Sequence, residues 1–129
     1  MKYFCTGVLA LFLFAFSFQV DAQNDYSIVD NYVKSLGSLD TLNIGTISYT
    51  VTKKFADPKE KVRAIFDWIA YNINYDLKAG KNNDNEKTST ELVLKTRKAT
   101  AVGFAGLFQD MCSVVKIRCL TVDGYAKFT

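Results

Sequence analysis

Apolar and polar positions change their period several times along this chain, and each change marks an element. The first block stands apart: Lys2 precedes an apolar run from Gly7 to Phe18, and V-D-A ends at Ala22 with small residues at its first and third positions. This is the pattern of a secretory signal peptide over residues 1–22. Its apolar run is too short for a bilayer span, which takes about 20 residues. Cys5 lies ahead of the run rather than at its end, which argues against a lipid-anchored cysteine. The mature chain is expected to start near Gln23, to be secreted or periplasmic, and to leave the membrane once the signal is cleaved.

Beyond the signal, Asp25 to Leu36 places Val29, Val33 and Leu36 on one helical face and stops at Gly37, a good C-terminal cap. Residues 23–40 thus read as an N-terminal helical segment. From Thr41 to Phe55 the period is ambiguous. Ile47, Tyr49 and Val51 alternate as in a strand, whereas Ile44, Ile47, Val51 and Phe55 fall at helical spacing. The next stretch is clear: Asp57 can cap, Pro58 suits the first helical position, and Glu60 can reach back to the cap. Val62, Ile65, Phe66, Ile69 and Ile73 then repeat with the helical period, predicting an amphipathic helix. Trp68 lies beside this stripe and is expected in the core, its indole N–H bonded to a partner.

Lys78 to Lys87 is polar and Asn-rich and predicts a solvated loop. Phe104, Leu107, Phe108, Met111 and Val115 mark another helix, which Thr100 can cap and Lys116 can close at its negative end. Ile117 to Val122 then alternates in a β-branched run that predicts a strand ending at Asp123-Gly124. An unpaired edge on that strand predicts self-association.

Composition narrows the chemistry. A chain of 129 residues, 49% hydrophobic, makes one ordinary domain. Its net charge of +3 comes from basic residues scattered between Lys34 and Lys127, so nucleic acid is not an expected partner. It has no histidine. That excludes a self-contained Ser-His-Asp or Cys-His site and any His-bearing zinc site in this chain. Asp76, Asp110 and Asp123 follow no metal-loop spacing and read as solvated or capping acids. No metal or cofactor is expected. Cys112 and Cys119 read as free, buried thiols, because a disulfide requires Cα atoms within about 7 Å and a helix-to-strand junction gives them no assured approach.

Three blocks in register carry a family resemblance: K-V-R-A-I-F-D-W-I-A-Y-N-I-N-Y-D at Lys61 to Asp76, A-T-A-V-G-F-A-G-L-F at Ala99 to Phe108, and V-D-G-Y-A-K at Val122 to Lys127. Together they resemble the bacterial transglutaminase-like superfamily of papain-like cysteine enzymes. The resemblance implies an α+β fold, with residues 41–129 forming the N-terminal, helical half of the catalytic core plus the first strand of its sheet. It implies a helix for Thr41 to Phe55. It also implies a nucleophilic Cys at the amino end of the second motif helix, with a His and an Asp on later strands. A helix N-terminus favours the thiolate, and the His-Asp pair manages the proton.

The motif G-V-C-x-G-Y-A of that family aligns with Ala99, Thr100, Ala101, Val102, Gly103, Phe104 and Ala105, so Ala101 stands at the nucleophile position. The chain reaches Thr129 without the His and Asp strands, which reads as a truncated core. Thr100 is expected to cap rather than attack, and Cys112 to point inward. Two histories fit Ala101: substitution of a catalytic Cys, or a natural pseudoenzyme. The expected function is accordingly an exported transglutaminase-like protein whose parental activity is thiol-dependent acyl transfer or peptide hydrolysis, inactive in this chain. The alternative is a non-catalytic extracytoplasmic protein that binds peptides or cell-wall material.

Overall fold

The helix that Asp57 and Pro58 begin is the one around which the others pack. The computed structural model describes residues 25–81, 89–122 and 124; the expected signal peptide, most of the expected loop, and Asp123 lie outside them. In chain order the elements are α1 (Ser27–Leu36), α2 (Ile44–Thr52), α3 (Pro58–Asn72), β1 (Asn74–Tyr75), α4 (Leu77–Lys81), α5 (Thr90–Thr96), β2 (Lys98–Ala99) and α6 (Ala101–Val114). Helices α1, α2 and α6 pack on α3, α2 also packs on α6, and α5 packs on α6. The content is mostly helical with one small sheet, consistent with an α+β class.

Helix α1 buries Val29 and Val33 and ends at Gly37, whose φ of 59° is a backbone state that glycine adopts without strain. In α2 the helical reading holds. Ile47 and Val51 are fully buried at i and i+4, whereas Tyr49, which strand alternation would turn inward with them, is exposed. Burial of two β-branched side chains, each contributing about 1.5–3 kcal/mol, outweighs their weak preference against helix. Asn43 caps this helix through a 2.9 Å bond from the Thr46 N–H. The Thr52 hydroxyl donates to the Ser48 carbonyl one turn back.

Asp57 caps α3, its Oδ1 accepting from the Lys59 N–H at 3.0 Å, with Pro58 at the first position. The buried face differs from the periodic stripe. Ala64, Ile65, Trp68 and Ile69 face the core, while Val62 is half-buried and Phe66 is 55% exposed. The helix is turned by about 100°, the angle of one residue, so that the fully buried Trp68 and the small Ala64 lie at the centre of its core-facing side. Trp68 is fully buried, yet its Nε1 has no hydrogen-bond partner among the described residues. Its ring is instead covered by the Arg97 guanidinium, 5.4 Å from the ring centre.

Two short strands and two short helices were not legible in the pattern. β1 and β2 pair in parallel, Asn74 opposite Lys98 and Tyr75 opposite Ala99. Lys78 to Lys81, expected in a loop, continue the single turn α4, whose start is held by Asp76. Helix α5 is capped by Ser89 and ends at Arg97, which takes the left-handed conformation (φ 54°). The Thr90 hydroxyl donates to the Asp110 carboxylate and ties α5 to α6.

The expected strand over Ile117 to Val122 is not formed. Lys116 adopts φ 61°, its N–H donates to the Ser113 carbonyl, and the Ile117 N–H donates to the Cys112 carbonyl, a double closure of the helix end. The chain then folds back along α6, and the Thr121 hydroxyl donates to the Gln109 side-chain carbonyl at 2.9 Å. A β-branched run needs a neighbouring strand to become one, and the described residues supply none. The open edge from which self-association was expected is therefore not made by this segment.

Candidate functional site

The start of α6 is positioned by the small sheet. The Asn74 N–H donates to the Arg97 carbonyl and the Asp76 N–H to the Ala99 carbonyl, each at 2.9 Å, so the end of α3 is joined to the residues that lead into α6. Asp76 also spends one carboxylate oxygen on the N–H groups of Lys78 and Ala79. It is a capping acid in the structure. Asp110 lies more than two turns along α6 from Ala101, bound to Thr90. Among the described residues no group of His, Cys, Asp or Glu side chains forms a metal-binding cluster.

Ala101 is the first residue of α6 and is exposed to solvent. Thr100 occupies the cap position with an extended backbone (φ −81°, ψ 176°), but its side chain makes no capping bond. The hydroxyl is buried without a partner among the described residues, contrary to the capping role expected of it. Gly103 is buried beneath the first turn, whereas Val102 is exposed. Among the described residues no side chain caps the N–H groups of this first turn, and a helix start of this kind favours negative charge. A thiol there would be held as thiolate more readily than an ordinary one. Ala101 itself has no group to ionise.

Cys112 does not substitute for it. Cys112 is fully buried about three turns along the helix, and burial pushes its thiol up to about 11. Such a thiol is scarcely ionised at neutral pH and is closed off from an incoming substrate.

An apolar groove opens one turn from Ala101. Phe104 and Phe108 of α6 face Phe66, Ile69 and Ala70 of α3 across a cavity of about 290 Å³. It adjoins an open groove of about 560 Å³ lined by Tyr26, Pro58, Val62, Phe66 and Phe108, with Lys59 and Arg63 at its polar margin. Phe66 is the residue the sequence pattern assigned to the core, and it supplies much of this groove's wall.

The sequence model of the Transglutaminase-like superfamily matches residues 45–128. The chain belongs to that superfamily. It is similar to the kyphoscoliosis peptidase of Mus musculus, 43% identical over 68 residues, which cover 53% of this chain and 10% of the relative. Similarity to the Homo sapiens kyphoscoliosis peptidase is 41% over 68 residues, with the same shares of each chain. The match thus spans about a tenth of the length of these curated relatives. No solved structure matches the chain. No described helix is long and apolar enough to cross a membrane.

Proposed function

We propose that this chain is an exported, non-catalytic member of the transglutaminase-like superfamily that binds a peptide or protein segment at the start of α6. The observation that carries the reading is Ala101. It stands solvent-exposed at the first position of the helix where the family motif has its nucleophile, in a chain that holds no histidine to activate one. Thiol-dependent acyl transfer or peptide hydrolysis is the parental activity, and this chain performs neither. The superfamily match supports the lineage, and the curated relatives' designation as peptidases supports a peptide as the ligand class. The N–H groups at the start of α6, which Thr100 leaves uncapped, offer hydrogen bonds to a peptide carbonyl or carboxylate, and the adjoining Phe66, Phe104 and Phe108 walls offer apolar contact.

The test pairs catalysis with binding. A fluorescent glutamine-containing peptide is expected to raise its anisotropy on addition of the protein, while amine incorporation into it and hydrolysis of casein remain at background. Turnover in either assay overturns the non-catalytic reading. Absence of binding by that peptide and by unfolded casein alike overturns the ligand class.

A further inference from the structure

The way α6 ends brings two thiols together. Lys116 reverses the chain in its left-handed conformation, and the Ile117 N–H returns to the Cys112 carbonyl at 2.9 Å. Two residues beyond Cys119, the Thr121 hydroxyl bonds to Gln109 at 2.9 Å. The returning segment therefore runs antiparallel to the last turns of α6 and is pinned on both sides of Cys119. Its side chains alternate as that path requires: Ile117 and Cys119 are half-buried against the core, while Arg118 and Leu120 face solvent. Cys112 lies fully buried on the helix beneath them, and both cysteines are free thiols. The neighbouring Cys119 thiol adds to the upward push that burial exerts on Cys112.

We propose that Cys112 and Cys119 are a disulfide-forming pair that staples the returning segment to α6 when a small disulfide such as oxidised glutathione is present. Cys119, the more accessible, loses its proton and attacks one sulfur of the external disulfide. A mixed disulfide forms at Cys119 and one external thiolate leaves, taking up a proton. The Cys112 sulfur then attacks the Cys119 sulfur, its own proton passes to solvent, and the second external thiolate departs and is protonated. Overall one external disulfide is reduced to two thiols and two protein thiols are oxidised to one bond. Export into an oxidising compartment, proposed above on other grounds, is where such a bond persists; the chemistry itself does not depend on that location.

The full chain is incubated in glutathione redox buffers, quenched with acid, alkylated and digested with trypsin. Cleavage at Lys98, Lys116 and Arg118 separates Cys112 from Cys119, so a bond between them joins two otherwise independent peptides, and Cys5 is read in a third. The expected product is the linked pair of peptides, lighter than their sum by two hydrogens and restored to two thiols by dithiothreitol. Cys112→Ala is expected to stop at a glutathione adduct on Cys119. Cys119→Ser is expected to leave Cys112 unmodified in the folded protein. A wild-type chain that stops at the Cys119 adduct, links Cys119 between two molecules, or stays reduced in an oxidising buffer overturns the proposal. Circular dichroism of each variant confirms that the folded state is the one assayed; an unfolded Cys112→Ala leaves the wild-type product and Cys119→Ser to decide it.

Discussion

The guanidinium of Arg97 lies 5.4 Å from the centre of the Trp68 ring and donates through Nη2 to the Leu39 carbonyl at 2.9 Å. One side chain thereby joins the α1–α2 connection, the central helix and the residues just ahead of β2. Because the Arg97 carbonyl also accepts from Asn74, the same residue sits where the sheet leads into α6. Trp68→Ala is expected to cost about 3–5 kcal/mol, as truncation of a buried aromatic does. Arg97→Ala is expected to cost about 2 kcal/mol, since it removes a charged donor from a partly buried carbonyl. Urea denaturation measures both. If the two losses simply add in the double variant, the cation–π contact contributes nothing of its own.

Asp67 gives the fold a dependence on pH. It is 4% exposed, with Oδ2 3.2 Å from the Arg63 Nε, while Arg63 makes two 3.0 Å bonds to Asp30. Burial, and then the Asp30 carboxyl, push Asp67 up to about 6, against the pull of Arg63. Asp30 moves the other way, held below the usual carboxylate range by its Arg63 bonds. A raised Asp67 favours the folded state in its protonated form. Its contribution is full below about pH 4 and disappears as pH rises through 6. Asp30 contributes in the opposite sense, its share being lost as pH falls below 4. Stability measured by urea at successive pH values should therefore fall between pH 4 and 6 in the wild type relative to Asp67→Asn. Parallel curves for the two proteins would remove Asp67 as the cause.

Lys116 is a non-glycine residue at φ 61° closing α6. A side chain at that position crowds the backbone, and glycine avoids the crowding. Lys116→Gly is expected to stabilise the protein by about 1 kcal/mol, visible as a raised urea midpoint at unchanged slope. Arg97 has a similar backbone, φ 54°, yet Arg97→Gly should destabilise, because the relieved strain is smaller than the lost Trp68 and Leu39 contacts. The opposite sign at two equivalent backbone positions is the point to measure.

Helix existence was legible wherever periodicity and caps agreed, as at Asp57-Pro58 and at Gly37. Helix rotation was not: Phe66 and Ile65 are equally apolar, and only packing around Trp68 turns one outward and the other in. The pairing of Asn74 with Lys98 could not be read because each strand holds two residues, too few for any alternation. Ile117 to Val122 carries a strand's composition without a strand's neighbours, so propensity and structure part there. At the candidate site, Ala101 is assigned by motif register alone, since alanine has no chemistry of its own. Arg97 left no signal, its role being set by a left-handed backbone and a distant carbonyl. Proximity of Cys112 and Cys119 depended on the chain reversal at Lys116, which a non-glycine residue does not announce.

The decisive variant for the candidate site is Ala101→Cys. The new thiol would stand exposed at the first position of α6, beside N–H groups that Thr100 leaves uncapped and that favour its ionised form. It should therefore react with iodoacetamide at neutral pH faster than Cys112, which is buried and pushed up to about 11. Reactivity toward an electrophile is not turnover. Acyl transfer also needs a base to take the thiol proton and return it to the leaving amine, and the chain has no histidine. Removing one member of such a catalytic unit costs about 10⁴- to 10⁶-fold in rate, which places the variant at background in amine incorporation and in peptide hydrolysis. Labelling at position 101, mapped in the Ala99–Lys116 tryptic peptide, together with background turnover is the expected outcome. Slow labelling would show that the start of α6 does not activate a thiol. Steady turnover would mean that the proton is handled by residues assigned here to structure, with Asp76, whose main chain pairs with Ala99, the first to replace by Asn.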